Sequence, residues 1–131
     1  GFRAYSRSKL CNLLFTYELA RRLEGTGVTA NALHPGLVAT NILTNNGILG
    51  RFLNMLLGVR GISVEAGALT SVYAASSPEL VGVSGKYLDK RQIVPSSFRS
   101  FDEAQAAALW ELSASLTGLP SETPIPSTFS V

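Results

Sequence analysis

The N-terminal quarter of this 131-residue chain joins a long helix directly to a short apolar strand. A helix is predicted over Ala4 to Glu24, because leucines and aromatic residues recur along it and Gly25 or Gly27 can end it. A strand is predicted over Val28 to Leu33, where apolar and polar residues do not alternate cleanly. Strands that are buried on both faces in parallel sheets have this pattern. The helix-to-strand step therefore predicts an α/β fold.

The segment that follows this strand is predicted to be a ligand-binding loop. Pro35 stops the strand because it has no N–H to donate to a ladder, and Gly36 allows another group to approach the main chain closely. In open α/β sheets, ligands bind beyond the carboxyl ends of the strands. By its position, the loop from Pro35 to Thr40 is therefore expected to contact a ligand.

Near the start of the predicted helix, Tyr5 and Lys9 lie four residues apart. Helix geometry places them about 40° apart around the axis and ~6 Å apart along it, so they share one face. An ammonium group near a phenol favours the phenolate and lowers a pKa that is ordinarily near ~10. Tyr5 would then exchange a proton with a carbonyl or alcohol oxygen at neutral pH. The alternative is a pair of ordinary surface residues, and the spacing alone does not decide between the two.

Three further elements are predicted downstream of the loop. Each is indicated by local capping or by a short apolar run bounded by turn residues. They are a helix over Val64 to Ala75, a strand over Gly85 to Leu88, and a helix that begins at the capping box Ser100 to Glu103 and ends at Gly118.

Composition excludes several classes of protein. Apolar residues make up 46% of the chain and charged residues 15%, which is typical of a globular domain and not of a disordered one. The net charge of +2 comes from scattered cations, so no nucleic-acid partner is predicted. No apolar run is long enough for a predicted membrane span. His34 is the sole histidine and lacks the spacing of a metal site, so no metal is predicted.

The single cysteine, Cys11, cannot form an internal disulfide. This favours a reducing, cytoplasmic location. Cys11 lies within the apolar band of the first helix and is predicted to be a small core residue. That band is wider than the stripe of a surface helix, which predicts that another helix or a second subunit, as in a homo-oligomer, packs against it.

Two motifs in this order resemble the second half of a short-chain dehydrogenase/reductase: Tyr5-x-x-x-Lys9 at the helix, and then Asn31-Ala-x-x-Pro35-Gly36-x-Val38-x-Thr40. The sequences at Ser8 to Asn12 and at His34 to Gly36 are most similar to the retinol-dehydrogenase-like branch of that family. The resemblance covers residues 1–118 and implies the C-terminal half of a doubly wound, Rossmann-type parallel sheet that begins at the active-site tyrosine. Residues 119–131, rich in Pro, Ser and Thr, are predicted to be a disordered tail.

The resemblance implies an oxidoreductase that interconverts a carbonyl and an alcohol with NADP or NAD. Tyr5 would be the catalytic acid/base, and Lys9 would lower its pKa and hold the nicotinamide ribose. The family's motif assigns the cofactor-binding positions to Tyr5, Lys9, Pro35, Gly36, Val38 and Thr40. Asn31 belongs to the same motif and is expected to have a structural role.

Other parts of the family's pattern do not occur in this chain. The glycine-rich phosphate turn, the mid-chain asparagine motif and the catalytic serine precede the tyrosine in the family. Two hypotheses therefore stay open: a C-terminal fragment of an enzyme, or a truncated, inert remnant that acts at most as an interaction module. The segment Ile42 to Leu57 holds nine large apolar residues and one charge. It predicts a cover over a small apolar carbonyl or alcohol substrate, with ordinary core packing as the alternative.

Overall fold

The structure, a computed structural model, describes residues 1–36 and 64–120. Within these residues it contains three α-helices, three short strands and two 3-10 turns. Predictions that fall on residues 37–63 and 121–131 lie outside the described residues, among them Val38, Thr40 and the Ile42 to Leu57 segment. The elements are α1 (Phe2–Arg22), β1 (Ala32–His34), α2 (Val64–Ser76), β2 (Tyr87–Asp89), β3 (Gln92–Val94) and α3 (Glu103–Thr117), with 3-10 turns at Pro78–Leu80 and Phe98–Phe101.

The strands form one mixed sheet in the order β1-β2-β3. Two residues join β2 to β3, and a connection this short requires an antiparallel hairpin, so the parallel pair is β1 with β2. The α/β prediction is confirmed, and the arrangement is consistent with part of a Rossmann-type fold. The predicted strand at Gly85 to Leu88 lies slightly later in the chain, and the one at Val28 to Leu33 is shorter than predicted.

Among the described residues, the chain divides into two compact units. The first unit comprises residues 1–32, 80–87 and 94–120, and the second comprises residues 33–36, 64–79 and 88–93. Of the described helices, α1 and α3 lie in the first unit and α2 lies in the second.

In the first unit, α1 packs against α3 and against the 3-10 turn Phe98–Phe101. The Phe15 ring stacks on Trp110 with 5.2 Å between ring centroids, and the Tyr17 ring stacks on Phe101 at 5.5 Å. The helix α3 thus covers part of the wide apolar band of α1. The buried apolar side chains of this unit are Leu14, Ala20, Leu23, Leu80 and Ala106.

A buried carboxylate also joins α1 to this interface. Glu18 is 7% exposed and accepts a hydrogen bond of 2.6 Å from Nε of Arg22. Its second oxygen pairs with Arg21, whose other guanidinium nitrogen lies 3.0 Å from Glu103 at the start of α3. Because Glu18 faces two guanidinium groups, its charge is compensated although it is removed from water.

Cys11 is exposed, so the prediction of a core residue is wrong for this structure. Residues 3–13 of α1 are exposed or half-buried, and Leu14 is the first buried residue after them. The apolar periodicity of a helix shows which residues share a face, but it does not show how far along the helix a partner covers that face.

The start of α3 differs from the predicted capping box. Asp102 is the N-cap, and its carboxylate accepts a hydrogen bond of 3.0 Å from the main-chain N of Gln105. Ser100 lies in the preceding 3-10 turn and is buried, and its hydroxyl donates to the Ser97 carbonyl at 2.6 Å. The predicted end is confirmed, because Gly118 follows the helix with a φ of 69°.

Candidate functional site

The side chains of Tyr5 and Lys9 lie next to each other on the first turns of α1. Lys9 Nζ is 5.4 Å from the centroid of the Tyr5 ring, within the range of a cation–π contact. The Tyr5 side chain is 61% exposed and Lys9 is also exposed, so a ligand can reach both. The shared face that the four-residue spacing predicted is therefore present, and the catalytic roles stay predictions.

The local structure of α1 holds this pair in place. The main-chain N of Tyr5 donates to the Gly1 carbonyl at 3.2 Å, and the Ser8 hydroxyl donates to the Tyr5 carbonyl at 2.8 Å. The first turn contains no acidic residue. The positive end of the helix dipole and the exposed cations Arg3, Arg7 and Lys9 together favour negatively charged ligand groups at this end of α1.

The predicted cofactor loop begins directly after β1. Pro35 is exposed, and Gly36 has a φ of 83°, a conformation that glycine adopts without steric cost. Both belong to the second compact unit, whereas Tyr5 and Lys9 belong to the first. Four of the predicted cofactor-binding residues lie in the described part of the chain: Tyr5, Lys9, Pro35 and Gly36. Among these four, the structure shows Tyr5 and Lys9 in side-chain contact.

Asn31 has the structural role that the motif predicted. Its Nδ2 donates to the Val83 carbonyl at 2.8 Å, and its Oδ1 accepts from the main-chain N of Lys86 at 2.9 Å. Main-chain bonds flank it on both sides, from Ala32 N to the Lys86 carbonyl and from Gly85 N to the Ala30 carbonyl. The side chain therefore joins the entrance of β1 to the segment that precedes β2.

Ser84 contributes to the same junction, and the sequence analysis missed it. Its hydroxyl accepts a hydrogen bond of 3.1 Å from the main-chain N of Ala30. The serine stands in a Gly-Val-Ser-Gly turn sequence, which indicates a turn but does not indicate which strand the hydroxyl will meet.

The described residues contain no group of three or more His, Cys, Asp or Glu side chains that could hold a metal ion. None of the helices in this part of the chain has both the length and the apolar character needed to cross a membrane.

Known proteins similar to this chain agree with the motifs. The chain is 45% identical to retinol dehydrogenase 14 of Homo sapiens, over 88% of this chain and 35% of that protein. It is 45% identical to Homo sapiens retinol dehydrogenase 13, over 94% of this chain and 40% of that protein. It is 42% identical to the WW domain-containing oxidoreductase of Gallus gallus, over 86% of this chain and 27% of that protein.

Over most of its length, the chain is similar to members of the short-chain dehydrogenase/reductase family. Its relatives confirm the retinol-dehydrogenase-like branch that the residues around Lys9 and Pro35 indicated. The chain spans between 27% and 40% of the length of these three relatives. No protein-family model matches it.

Proposed function

We propose that this chain supplies the proton-transfer residues of an NAD- or NADP-dependent oxidoreductase that interconverts a carbonyl and an alcohol. The observation that supports this most directly is the exposed pair of Tyr5 and Lys9, with Nζ 5.4 Å from the ring centroid. The names of the relatives, retinol dehydrogenases and an oxidoreductase, support the same class of reaction.

The residues at this end of α1 fit a nicotinamide ribose. Lys9 offers an exposed ammonium with three donors, and the exposed Tyr5 hydroxyl lies on the same face of the helix. Lys9 would hold the ribose hydroxyls, and the loop residues Pro35, Gly36, Val38 and Thr40 would line the nicotinamide. When bound, the nicotinamide supplies or accepts the hydride.

Tyr5 performs the proton transfer in this proposal. During reduction its hydroxyl donates a proton to the oxygen of the substrate carbonyl, and during oxidation the phenolate accepts the proton of the alcohol. The Lys9 ammonium, 5.4 Å from the centroid of the Tyr5 ring, stabilises the phenolate that remains after donation, because the two groups carry opposite charges. The substrate class that we propose is a small apolar carbonyl or alcohol, since the chain between Ile42 and Leu57 offers large apolar side chains and one charge.

The test uses the full-length product of the gene that encodes this chain, with a series of aliphatic aldehydes and NADPH or NADH. Tyr5→Phe keeps the ring and removes the hydroxyl, so kcat is expected to fall at least ~10²-fold while the cofactor Kd stays nearly unchanged. Lys9→Ala is expected to lower kcat and to weaken cofactor binding as well. Each methylene that enters an apolar pocket should raise kcat/KM by up to ~4-fold.

Tyr73→Phe is the matched control, because Tyr73 lies on α2 in the other compact unit and has no assigned role in catalysis. Its kcat should equal that of the unchanged enzyme. If the kcat of Tyr5→Phe lies within a factor of ten of that of the unchanged enzyme, Tyr5 is not the catalytic acid/base. No turnover by the unchanged protein with any aldehyde, and no cofactor binding, is the result expected of an inert remnant. If kcat/KM does not change with the chain length of the aldehyde, the proposed apolar substrate class is wrong, but the acid/base assignment of Tyr5 is unaffected.

A further inference from the structure

A groove with a volume of 620 Å³ lies beside α1, where the 3-10 turn Phe98–Phe101 approaches the helix. Leu10 and Leu14 of α1 line it together with Phe98 and Phe101 of the turn. At about 100° per residue, Leu10 and Leu14 stand about 140° and 180° from Tyr5 around the helix axis. The groove therefore lies on the side of α1 that faces away from the Tyr5–Lys9 pair.

Two guanidinium groups, Arg7 and Arg99, also line this groove. Both side chains are exposed, and neither forms an ion pair within residues 1–36 and 64–120. Among the described lining residues the one acid is Asp102, and its carboxylate is occupied as the N-cap of α3. It accepts from the main-chain N of Gln105 at 3.0 Å and from the side-chain Nε2 of Gln105 at 2.8 Å. The described part of the lining thus carries two guanidinium groups that form no ion pair there and one carboxylate, which leaves a net positive charge of one.

The apolar part of the groove is open to solvent at its rim. The Phe98 side chain is 92% exposed and the Phe101 side chain is 56% exposed. These two aromatic rings and the half-buried Leu10 form an apolar surface that gains free energy when a ligand covers it. The surface is thus amphipathic, with an apolar floor and cationic edges.

We propose that this groove binds a long-chain carboxylate anion. The alkyl chain covers Leu10, Phe98 and Phe101, and the carboxylate pairs with the guanidinium groups of Arg7 and Arg99, whose planar forks match carboxylate geometry. The volume of 620 Å³ falls within the range of about 300–1,000 Å³ that small-molecule sites occupy. A compact polar anion would satisfy the charges but leave the aromatic surface exposed. The site goes beyond the proposed catalytic function, since Tyr5 and Lys9 do not line it.

Cys11 provides a direct measurement of occupancy, because it is exposed and lines this groove. The full-length gene product is incubated with dodecanoate below its critical micelle concentration. The rate at which iodoacetamide alkylates Cys11 is then followed by peptide mass spectrometry. Saturating dodecanoate is expected to slow alkylation of Cys11 at least ~5-fold. The concentration of octanoate that gives the same protection should be higher by up to ~4-fold for each missing methylene. Dodecanol should bind ~5-fold or more weakly, since it cannot form the ion pairs.

Three variants test the assigned contacts. Arg7→Gln and Arg99→Gln should each weaken protection by dodecanoate about 5-fold and leave protection by dodecanol unchanged, because the lost contacts are exposed ion pairs. Phe98→Ala should weaken protection by both compounds, and the exposed position of Phe98 means that the variant should fold. The control is Arg91→Gln in the turn between β2 and β3, which should behave as the unchanged protein.

Three results would overturn the proposal. Equal protection by dodecanol and dodecanoate, or arginine variants without effect, would show that the groove does not recognise a carboxylate. If Cys11 is already protected without additive and sedimentation shows a dimer, the groove is an interface between copies of this chain instead. A selective, arginine-dependent protection of Cys11 in a monomer supports the carboxylate site.

Discussion

Asn31 illustrates how a single polar side chain can organise a strand junction in this fold. Its amide has one donor bond to Val83 and one acceptor bond to Lys86, so both ends of the amide are satisfied by main chain more than 50 residues away. Backbone groups at the edges of a sheet need such partners when water is excluded. The residue is part of the family motif, and these contacts give a physical reason for an asparagine at this position.

Replacement of Asn31 is expected to destabilise the protein without a direct effect on proton transfer. Asn31→Ala removes two hydrogen bonds of a half-buried side chain, so the free energy of unfolding should fall by about 2 kcal/mol. Urea denaturation of the full-length gene product measures this change. Asn12→Ala on the exposed side of α1 is the control and should change stability by no more than about 0.5 kcal/mol. Equal effects of the two substitutions would contradict the role assigned to Asn31.

The titration of Tyr73 should depend on its neighbour Glu79. The hydroxyl of Tyr73 donates to the Glu79 carboxylate at 2.7 Å, and this hydrogen bond raises the pKa of Tyr73 above its ordinary value of 10.0. A raised pKa means that the bond stabilises the fold fully below pH ~10, and that this contribution is lost as the pH rises through the folded-state pKa.

The ultraviolet absorbance of tyrosinate tests this directly. The titration of the unchanged protein minus that of Tyr73→Phe isolates the Tyr73 phenol, and its midpoint should lie above that of a free tyrosine. Glu79→Gln should lower the midpoint, because the carboxylate that favours the neutral phenol is then absent. A midpoint that does not move in Glu79→Gln would assign the shift to another cause.

At the scale of elements, the contact between α1 and α3 combines aromatic stacking with a buried charge. Trp110 of α3 stacks with the Phe15 ring and also contacts the guanidinium of Arg22, which is 4.6 Å from the Trp110 ring centroid. Arg22 also pairs with Glu18, so the aromatic and ionic parts of the interface share one residue. Loss of Glu18 should therefore disturb both helices.

Glu18→Gln is expected to lower the free energy of unfolding by about 2–3 kcal/mol. The substitution removes the buried carboxylate that Arg21 and Arg22 share. The cost stays below that of a fully buried pair, because these two side chains are 34% and 28% exposed and keep Glu103 at 3.0 Å and Glu111 at 3.8 Å, respectively. Thermal or urea unfolding provides the measurement. Glu24→Gln, an exposed acid just beyond the same helix, should change stability by less than about 0.5 kcal/mol. An effect of Glu18→Gln as small as that of the control would show that the pairing does not stabilise the fold.

Local sequence signals predicted some elements of this chain better than others. The helices α1 and α2 were predicted to within two residues at each end, because glycine, proline and apolar periodicity act locally. The hairpin of β2 and β3 was missed, since its turn residues Lys90 and Arg91 have φ of 50° and 63°, where glycine or asparagine is the usual signal. The start of α3 was ambiguous for a similar reason: Ser100 and Asp102 are each followed three residues later by Glu or Gln.

For the whole molecule, the sequence indicated the family because two short motifs, the first on the opening helix and the second around the following strand, occur in the family's order. The Tyr5–Lys9 contact was predictable, since helix geometry alone sets it. The exposure of Cys11 and the groove beside it were not, because they depend on where the turn Phe98–Phe101 packs on α1, about 90 residues later in the chain. Contacts of that separation are set by tertiary packing and leave no periodic signal in either segment.

The last prediction concerns the 131-residue chain studied alone. Leu112 and Leu116 lie one turn apart on α3 and are 56% and 78% exposed, and Phe98 is 92% exposed, so the described surface carries large uncovered apolar groups. The chain also contains no G-x-x-x-G-x-G turn to cradle a pyrophosphate. The purified chain is therefore expected to self-associate in sedimentation experiments and to show negligible NADPH binding by calorimetry. Leu112→Glu with Leu116→Glu should reduce the association, because charge on that face opposes apolar contact. A monomer that binds one NADPH per chain with micromolar Kd would contradict both expectations.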